Sequence, residues 1–164
     1  MIPRALFTFL IFISPLPAFA CSFAIMTEEF EIVPGEGAPP AIPYFETKDI
    51  VRGTDDGNYA SCSDAGILTL KLLDTQSQPV GYMFRIVQGQ FEDKLFYEQP
   101  IQATDPYREE NLYKFVWLDG SSDVQEPIDI TLEIVAISKT GHKSGPQTLR
   151  ITHPGVSKPW WKFW

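Results

Sequence analysis

Very few residues of this 164-residue sequence have side chains suited to nucleophilic or acid–base catalysis. The only histidines are His142 and His153, and a nucleophilic triad would need one of them beside a serine and a carboxylate. The chain contains no Gly-x-Ser-x-Gly elbow, the turn that presents a nucleophilic serine. We therefore expect no catalytic site, with His142 in an exposed turn and His153 at a plain surface position.

Acidic clusters offer ligands for a metal ion, but their spacing is ordinary. Segments 55–58 and 119–123 place oxygen-bearing side chains near glycines, as calcium loops do, without the spacing and final Glu of an EF-hand. Because Asp, Asn and Gly also favour turns, we assign both segments to turns. The carboxylates at 92–93 and 109–110 resemble the pair used in glycoside hydrolysis, but adjacent acids on a polar segment predict a solvated surface. No zinc-ligand spacing occurs, and we expect no metal and no cofactor.

The sharpest signal for binding is a tail at residues 154–164 that is rich in Trp and Lys. It holds three of the four tryptophans of an otherwise acidic protein. Trp is favoured at membrane–water interfaces, and nearby Lys adds attraction to anionic lipid. The tail either packs back on the domain, which would protect its aromatic side chains from aggregation, or binds a membrane interface or a partner, or has no role. Its candidate binding residues are Lys158, Trp160, Trp161, Lys162, Phe163 and Trp164.

The beginning of the sequence predicts export. Residues 1–20 combine Arg4, an apolar stretch over 5–13 and the small residues Ala18 and Ala20, which is typical of a secretory signal peptide. The apolar stretch is shorter than the ~20 residues that a membrane-spanning helix needs. We expect a protein that is secreted or periplasmic, or associated with the cell surface.

Cys21, directly after the predicted cleavage point, and Cys62 are the only cysteines. In an oxidising compartment they most simply form one disulfide, which would close a loop of about 40 residues and contribute roughly 4 kcal/mol. The alternative is a lipoprotein, in which Cys21 carries lipid and Cys62 stays a thiol. Ala18 and Phe19 stand where lipoprotein signals usually carry a leucine and a small residue, so the sequence favours the disulfide.

Charge and composition exclude two further classes. The chain has 13 basic and 21 acidic residues, a net charge of −8, whereas nucleic-acid binding depends on Lys and Arg that neutralise phosphates. We therefore expect no nucleic-acid partner. With 44% hydrophobic and 21% charged residues, the composition is that of a folded protein rather than a disordered one.

Apolar and polar residues alternate along five stretches, 68–72, 82–87, 113–117, 128–134 and 148–152. A period of two with turn-rich segments between predicts an all-β sandwich or barrel. A proline-rich edge strand is predicted over 41–51. Residues 99–105 are predicted to run along a sheet edge, because Pro100 cannot donate to a central ladder. Only 107–112 has a pattern that allows a short turn of helix.

The stretch from Ile130 to Thr152 resembles the last two strands of fibronectin type III and related immunoglobulin-like domains of bacterial surface proteins. Ala136, Gly141 and Ser144 match the pattern of those strands. Upstream, GYMFRI at 81–86 looks like the third strand of the family, and the prolines at 39–43 look like its entry. The tryptophan usual in the second strand is missing from 67–73, and an aliphatic residue replaces the tyrosine usual near the start of the sixth.

The resemblance covers 39–153 and implies an antiparallel immunoglobulin-like sandwich of about seven strands. We expect a signal peptide (1–20), a tethered N-terminal segment (21–38), the sandwich (39–153) and the tail (154–164). Because such domains are usually spacers or binding modules, and a fold does not decide function, we expect an exported non-catalytic module with an unidentified protein or envelope partner. The alternatives are a lipoprotein anchored through Cys21, and a carbohydrate-binding or hydrolase accessory domain with exposed aromatics such as Tyr97, Tyr107 or Trp117.

Overall fold

A computed structural model describes residues 25–54, 56, 58, 61–74, 77–91, 94–120 and 124–157. These residues form eight strands and one 3-10 turn at Cys62–Asp64, with no α-helix among them. The strands are β1 Thr27–Glu29, β2 Phe45–Val51, β3 Ala65–Leu72, β4 Val80–Gln88, β5 Ile101–Ala103, β6 Leu112–Leu118, β7 Ile128–Ser138 and β8 Lys143–His153. Within the described part of the chain, no helix is long and apolar enough to cross a membrane. The predicted signal peptide, Cys21 and tail residues 158–164 lie outside it.

The strands form two antiparallel sheets that pack across one core. One sheet has the order β1-β5-β4-β7-β8, and the other has the order β2-β3-β6. A single apolar cluster takes side chains from both sheets, including Leu70 and Phe115 from one and Phe84 and Leu132 from the other. The predicted all-β fold is confirmed, and the two sheets form a sandwich.

The five alternating stretches became β3, β4, β6, β7 and β8 because their apolar faces supply this core. In β7, which lies between β4 and β8, Ile130, Leu132 and Ile134 are at most 1% exposed. The edge strand predicted over 41–51 is confirmed in part: β2, at Phe45–Val51, lies at the edge of the three-stranded sheet, but it begins after Pro43 and contains no proline.

Two local predictions were wrong. The strand β5 lies inside its sheet, because Ile101 pairs with Glu29 of β1 on one side and with Tyr82 of β4 on the other. Pro100 lies directly before the strand, so the sheet needs no N–H donor from it. Its carbonyl accepts a hydrogen bond of 2.8 Å from the Phe30 N–H. Residues 105–111 form consecutive hydrogen-bonded turns instead of a helix.

Aromatic rings from neighbouring segments cover two strand glycines. A Cβ atom on Gly66 of β3 would lie 2.1 Å from the ring of Trp117, its partner on β6. Trp117 of β6 therefore packs directly on the backbone of β3. In the same way, a Cβ atom on Gly81 would lie 2.5 Å from the ring of Phe30, which holds the N-terminal segment against β4.

Candidate functional site

Five strands begin or end at one end of the sandwich, which we call the loop end. The strands β2 and β6 end there at Val51 and Leu118, β3 and β7 begin there, and β8 ends there at His153. Described residues of three segments that are far apart in sequence meet at the loop end: Gly53 and Asp64 before β3, Asp119 and Gln125 between β6 and β7, and Val156 after β8. Asp64 and Gln125, two of the four buried polar residues in the described part of the chain, lie there.

The centre of the loop end is an ion pair between Arg52 and Asp119. Arg52 Nε and Nη2 each donate to one carboxylate oxygen of Asp119 at 2.8 Å, and the two side chains are only 9% and 5% exposed. Asp119 also accepts hydrogen bonds from the Gly53 N–H at 2.7 Å and from Trp117 Nε1 at 3.0 Å. Each carboxylate oxygen of Asp119 therefore accepts two hydrogen bonds.

These donors decide the ionisation of Asp119. Burial raises the pKa of the Asp119 carboxyl, but hydrogen bonds from Arg52, Gly53 and Trp117, together with the charge of Arg52, outweigh burial and hold the pKa below its usual range. An ionised carboxylate with four donors is a weak base and a poor metal ligand. Asp119, the first residue of the turn predicted at 119–123, therefore links the ends of neighbouring strands. Residues 121–123 of that turn lie outside the described residues.

The remaining Arg52 nitrogen extends this network to Glu126, before β7, and to His153, at the end of β8. Nη1 donates to the Glu126 carbonyl at 2.8 Å and lies 3.4 Å from His153 Nδ1. The same His153 nitrogen accepts a hydrogen bond from the Gly155 N–H at 3.1 Å. The prediction of a plain surface position for His153 was therefore wrong, because the ring is half-buried at the junction of β2 and β8.

Gln125 ties the segment after β8 to the loop end. Its backbone N–H and carbonyl form an isolated bridge with Val156, with hydrogen bonds of 2.8 and 3.0 Å. Its side chain is buried, and Nε2 donates to the Gly53 carbonyl at 2.7 Å. The other amide atom, Oε1, is buried and has no hydrogen-bond partner in the described part of the chain.

A pocket of about 270 Å³ opens beside this network. Its lining combines the buried polar residues Arg52 and Asp119 with apolar side chains, of which Leu118 is 74% and Val124 is 67% exposed. Phe91 packs edge-on against Trp117 in the same wall, with ring centroids 5.3 Å apart. The remaining lining residues are Gln90, Gln125, Glu126, Pro127 and Ile128.

The aromatic residues predicted to bind carbohydrate do not form one surface. Trp117 is 8% exposed and belongs to the core, so its predicted exposure was wrong. Tyr107 is half-buried, with Lys114 Nζ 4.8 Å from its ring centroid. Only Tyr97 is open to solvent, at 59% exposure.

The other predicted sites are only partly covered by the structure. Cys62 begins the 3-10 turn at the loop end, but Cys21 lies outside the described residues, so the disulfide stays a prediction. Glu109 and Glu110 are exposed, as predicted for a solvated surface. His142 lies in the β7–β8 turn, as predicted, but is half-buried there. Within the described ranges, no group of three or more His, Cys, Asp or Glu is placed to hold a metal ion.

Sequence reasoning missed Arg52 and Gln125, the two residues that hold the loop end together. Their partners lie 67 and 72 positions away in the sequence, so no local pattern marks them. Comparison with models of protein families, with curated proteins and with solved structures finds no match for this chain. The function must therefore follow from the residues of the chain itself.

Proposed function

We propose that the protein is an exported, non-catalytic binding or structural module of immunoglobulin-like type, which holds a membrane interface or an envelope partner through its Trp/Lys-rich tail. The strand order supports the fold type. Counted from β2, the first, second and fifth strands share one sheet, and the third, sixth and seventh share the other, as in immunoglobulin domains. The fourth strand, β5, pairs with the third, which favours the fibronectin type III-like arrangement over the constant type.

The loop-end network supports a structural role for the polar residues. Arg52 and Asp119 satisfy each other and backbone groups of two loop segments, at Gly53 and at Glu126, so the ion pair holds these segments in place. A buried pair of this kind specifies one arrangement of the groups around it. We infer a rigid platform at this end of the sandwich.

The observation that carries the proposal is the bridge between Gln125 and Val156. It fixes the chain to the platform at Val156, two residues before the Trp and Lys residues begin. A binding segment that starts from a fixed point loses less freedom when it meets a partner than one on a long linker. The tail thus has residue types that suit an interfacial anchor, and it starts from a fixed position on the platform.

Co-sedimentation with anionic lipid vesicles tests this proposal. The mature chain should sediment with the vesicles, and a variant with Trp160→Ala, Trp161→Ala and Trp164→Ala should stay in solution. Tyr97→Ala is the matched control, because it removes an aromatic side chain that is 59% exposed elsewhere on the surface. Equal sedimentation of the triple variant and the mature chain would refute the membrane anchor. A tail-dependent protein partner would then be sought by crosslinking in envelope extracts.

Intact-mass measurement of the protein from its native host distinguishes the two chemical states of Cys21. We expect a chain that begins at Cys21 and lacks two hydrogens, because Cys62 lies in a defined turn where a bridge can hold the N-terminal segment. A mass increased by acyl chains would identify the lipoprotein instead. In that case attachment to the membrane would be through Cys21, and the tail would be left for a partner.

A further inference from the structure

We propose that the pocket at the loop end is the docking site of the chain's own tail residues 158–164. When the tail is docked, it lies against the sandwich. The pocket then competes with any membrane interface or partner for the aromatic side chains of the tail. This inference does not depend on the proposed function, since a tail can dock on its own domain whatever else it binds.

The position of the last described residues places the tail beside the pocket. Val156 is bridged to Gln125, and Gln125 is itself a lining residue between Val124 and Glu126. An extended chain spans at most ~3.5 Å per residue, so the residues that follow Ser157 can cover roughly 25 Å. All three tail tryptophans are therefore within reach of the lining without movement of the sandwich.

The chemistry of the pocket matches the chemistry of the tail. Leu118 and Val124 expose most of their apolar surface to water beside Phe91, which is what Trp and Phe side chains would cover. Glu126 also lines the pocket, and its negative charge is opposite to that of the two lysines in the tail.

The tether favours the chain's own tail over the tail of a second copy. A short flexible connection gives an effective concentration in the millimolar range. A second copy would have to compete at the concentration of the protein itself. We therefore expect docking within one molecule.

Acrylamide quenching of tryptophan fluorescence in the full mature chain, without lipid, tests the inference. Trp117 lines the pocket but is only 8% exposed, so most of any change in quenching reports the three tail residues. Leu118→Asp and Val124→Asp place a charge in the pocket at positions that are largely exposed, and the fold should tolerate both. The matched control is Val33→Asp, a residue 55% exposed at the other end of the sandwich, where its N–H bonds the Lys139 carbonyl.

Each outcome supports or overturns the proposal. We expect the quenching constant to rise roughly twofold or more in Leu118→Asp and Val124→Asp, because their tail rings lose the apolar cover, and to stay unchanged in Val33→Asp. Quenching of the unsubstituted chain at the level of a synthetic KPWWKFW peptide would overturn the proposal. Equal protection in the pocket variants would do the same. Protection that disappears on about 100-fold dilution would assign the pocket to a second copy and reject docking within one molecule.

Discussion

The two ends of the sandwich are held together by different kinds of contact. At the β7–β8 turn, Ser138, Thr140 and His142 bond one another over two to four positions of sequence. At the loop end, Arg52 reaches Asp119 across 67 positions and the Glu126 carbonyl across 74. At the first end the side chains bond within one hairpin, and the N-terminal segment adds backbone hydrogen bonds from Val33 to Lys139 and from Gly35 to Thr140. The network at the second end exists only when several strands have already assembled. Substitutions should therefore be tolerated at the turn and costly at the loop end.

The largest expected effect comes from removing one partner of the buried ion pair. Asp119→Ala leaves Arg52 buried without a counter-ion and takes an acceptor from Gly53 and Trp117, so we expect the free energy of unfolding to fall by about 3–5 kcal/mol. His142→Ala at the turn end should cost less than about 1 kcal/mol. Urea unfolding of both variants measures the difference. Similar losses would remove the distinction between the two ends.

A matched pair of glycine substitutions gives the next largest difference. At the loop end, a Cβ atom on Gly53 would lie 2.5 Å from the Gly120 carbonyl oxygen and 2.7 Å from that of Asp64, and backbone atoms cannot move aside cheaply. Gly53→Ala should therefore cost about 1–3 kcal/mol. At the other end, Gly35 has Thr140 Cγ2 at 3.6 Å as its nearest atom, an ordinary contact. Gly35→Ala should leave the thermal midpoint almost unchanged, and a large drop there would contradict the comparison.

The pH dependence of stability should also separate a buried carboxylate from an exposed one. The pKa of Asp119 is lowered in the folded state, so its contribution is complete above the unfolded-state pKa and is lost as pH falls through the folded-state pKa. Asp119→Asn should therefore flatten the loss of stability in acid. Asp129 also has a lowered pKa, caused by its hydrogen bond from Arg150, but this pair is fully exposed and screened by salt. Asp129→Asn should flatten the acid curve much less, and at high salt not at all.

The smallest effect is expected at a surface pair on the sheet face. Arg85 donates to Glu133 at 2.7 Å across β4 and β7, with the Arg85 side chain 71% exposed. Arg85→Ala should change the free energy of unfolding by less than about 1 kcal/mol. A loss as large as that of Asp119→Ala would show that burial does not distinguish the two ion pairs.

The same contrast explains what could be predicted from the sequence. The alternation in 113–117 and 128–134 is local and predicts strands with one apolar face, and β6 and β7 have that face in the core. That pattern already placed Trp117 on the apolar face with Tyr113 and Phe115, which argued against its use as an exposed carbohydrate ligand. Whether a strand lies inside a sheet or at its edge depends on segments elsewhere in the chain. Nothing in 99–105 therefore indicates that β1 pairs with the outer side of β5.

The loop end could not be predicted, for a related reason. Arg52 follows a predicted strand and is an unremarkable charge until Asp119 and the Glu126 carbonyl are brought to it. Gln125 lies between the turn predicted at 119–123 and the alternating stretch at 128–134, where no local pattern marks it, yet its side chain and backbone join Gly53 and Val156. His153 was placed at the surface because it ends the last alternating stretch, where sequence gives no sign of a buried neighbour.

The central claim is that the tail starts from a fixed point on the loop end, and hydrogen–deuterium exchange tests it directly. Gly155 has a φ of +81°, and a Cβ atom there would lie 2.5 Å from the Gln125 carbonyl oxygen, so Gly155→Ala should break the bridge. Gly120→Ala carries a similar backbone strain, at a φ of +74°, with nothing within 4 Å, and is the matched control. We predict slow exchange of the Gln125 and Val156 amides in the unsubstituted chain and in Gly120→Ala, and fast exchange in Gly155→Ala. Fast exchange of both amides in the unsubstituted chain would contradict the claim.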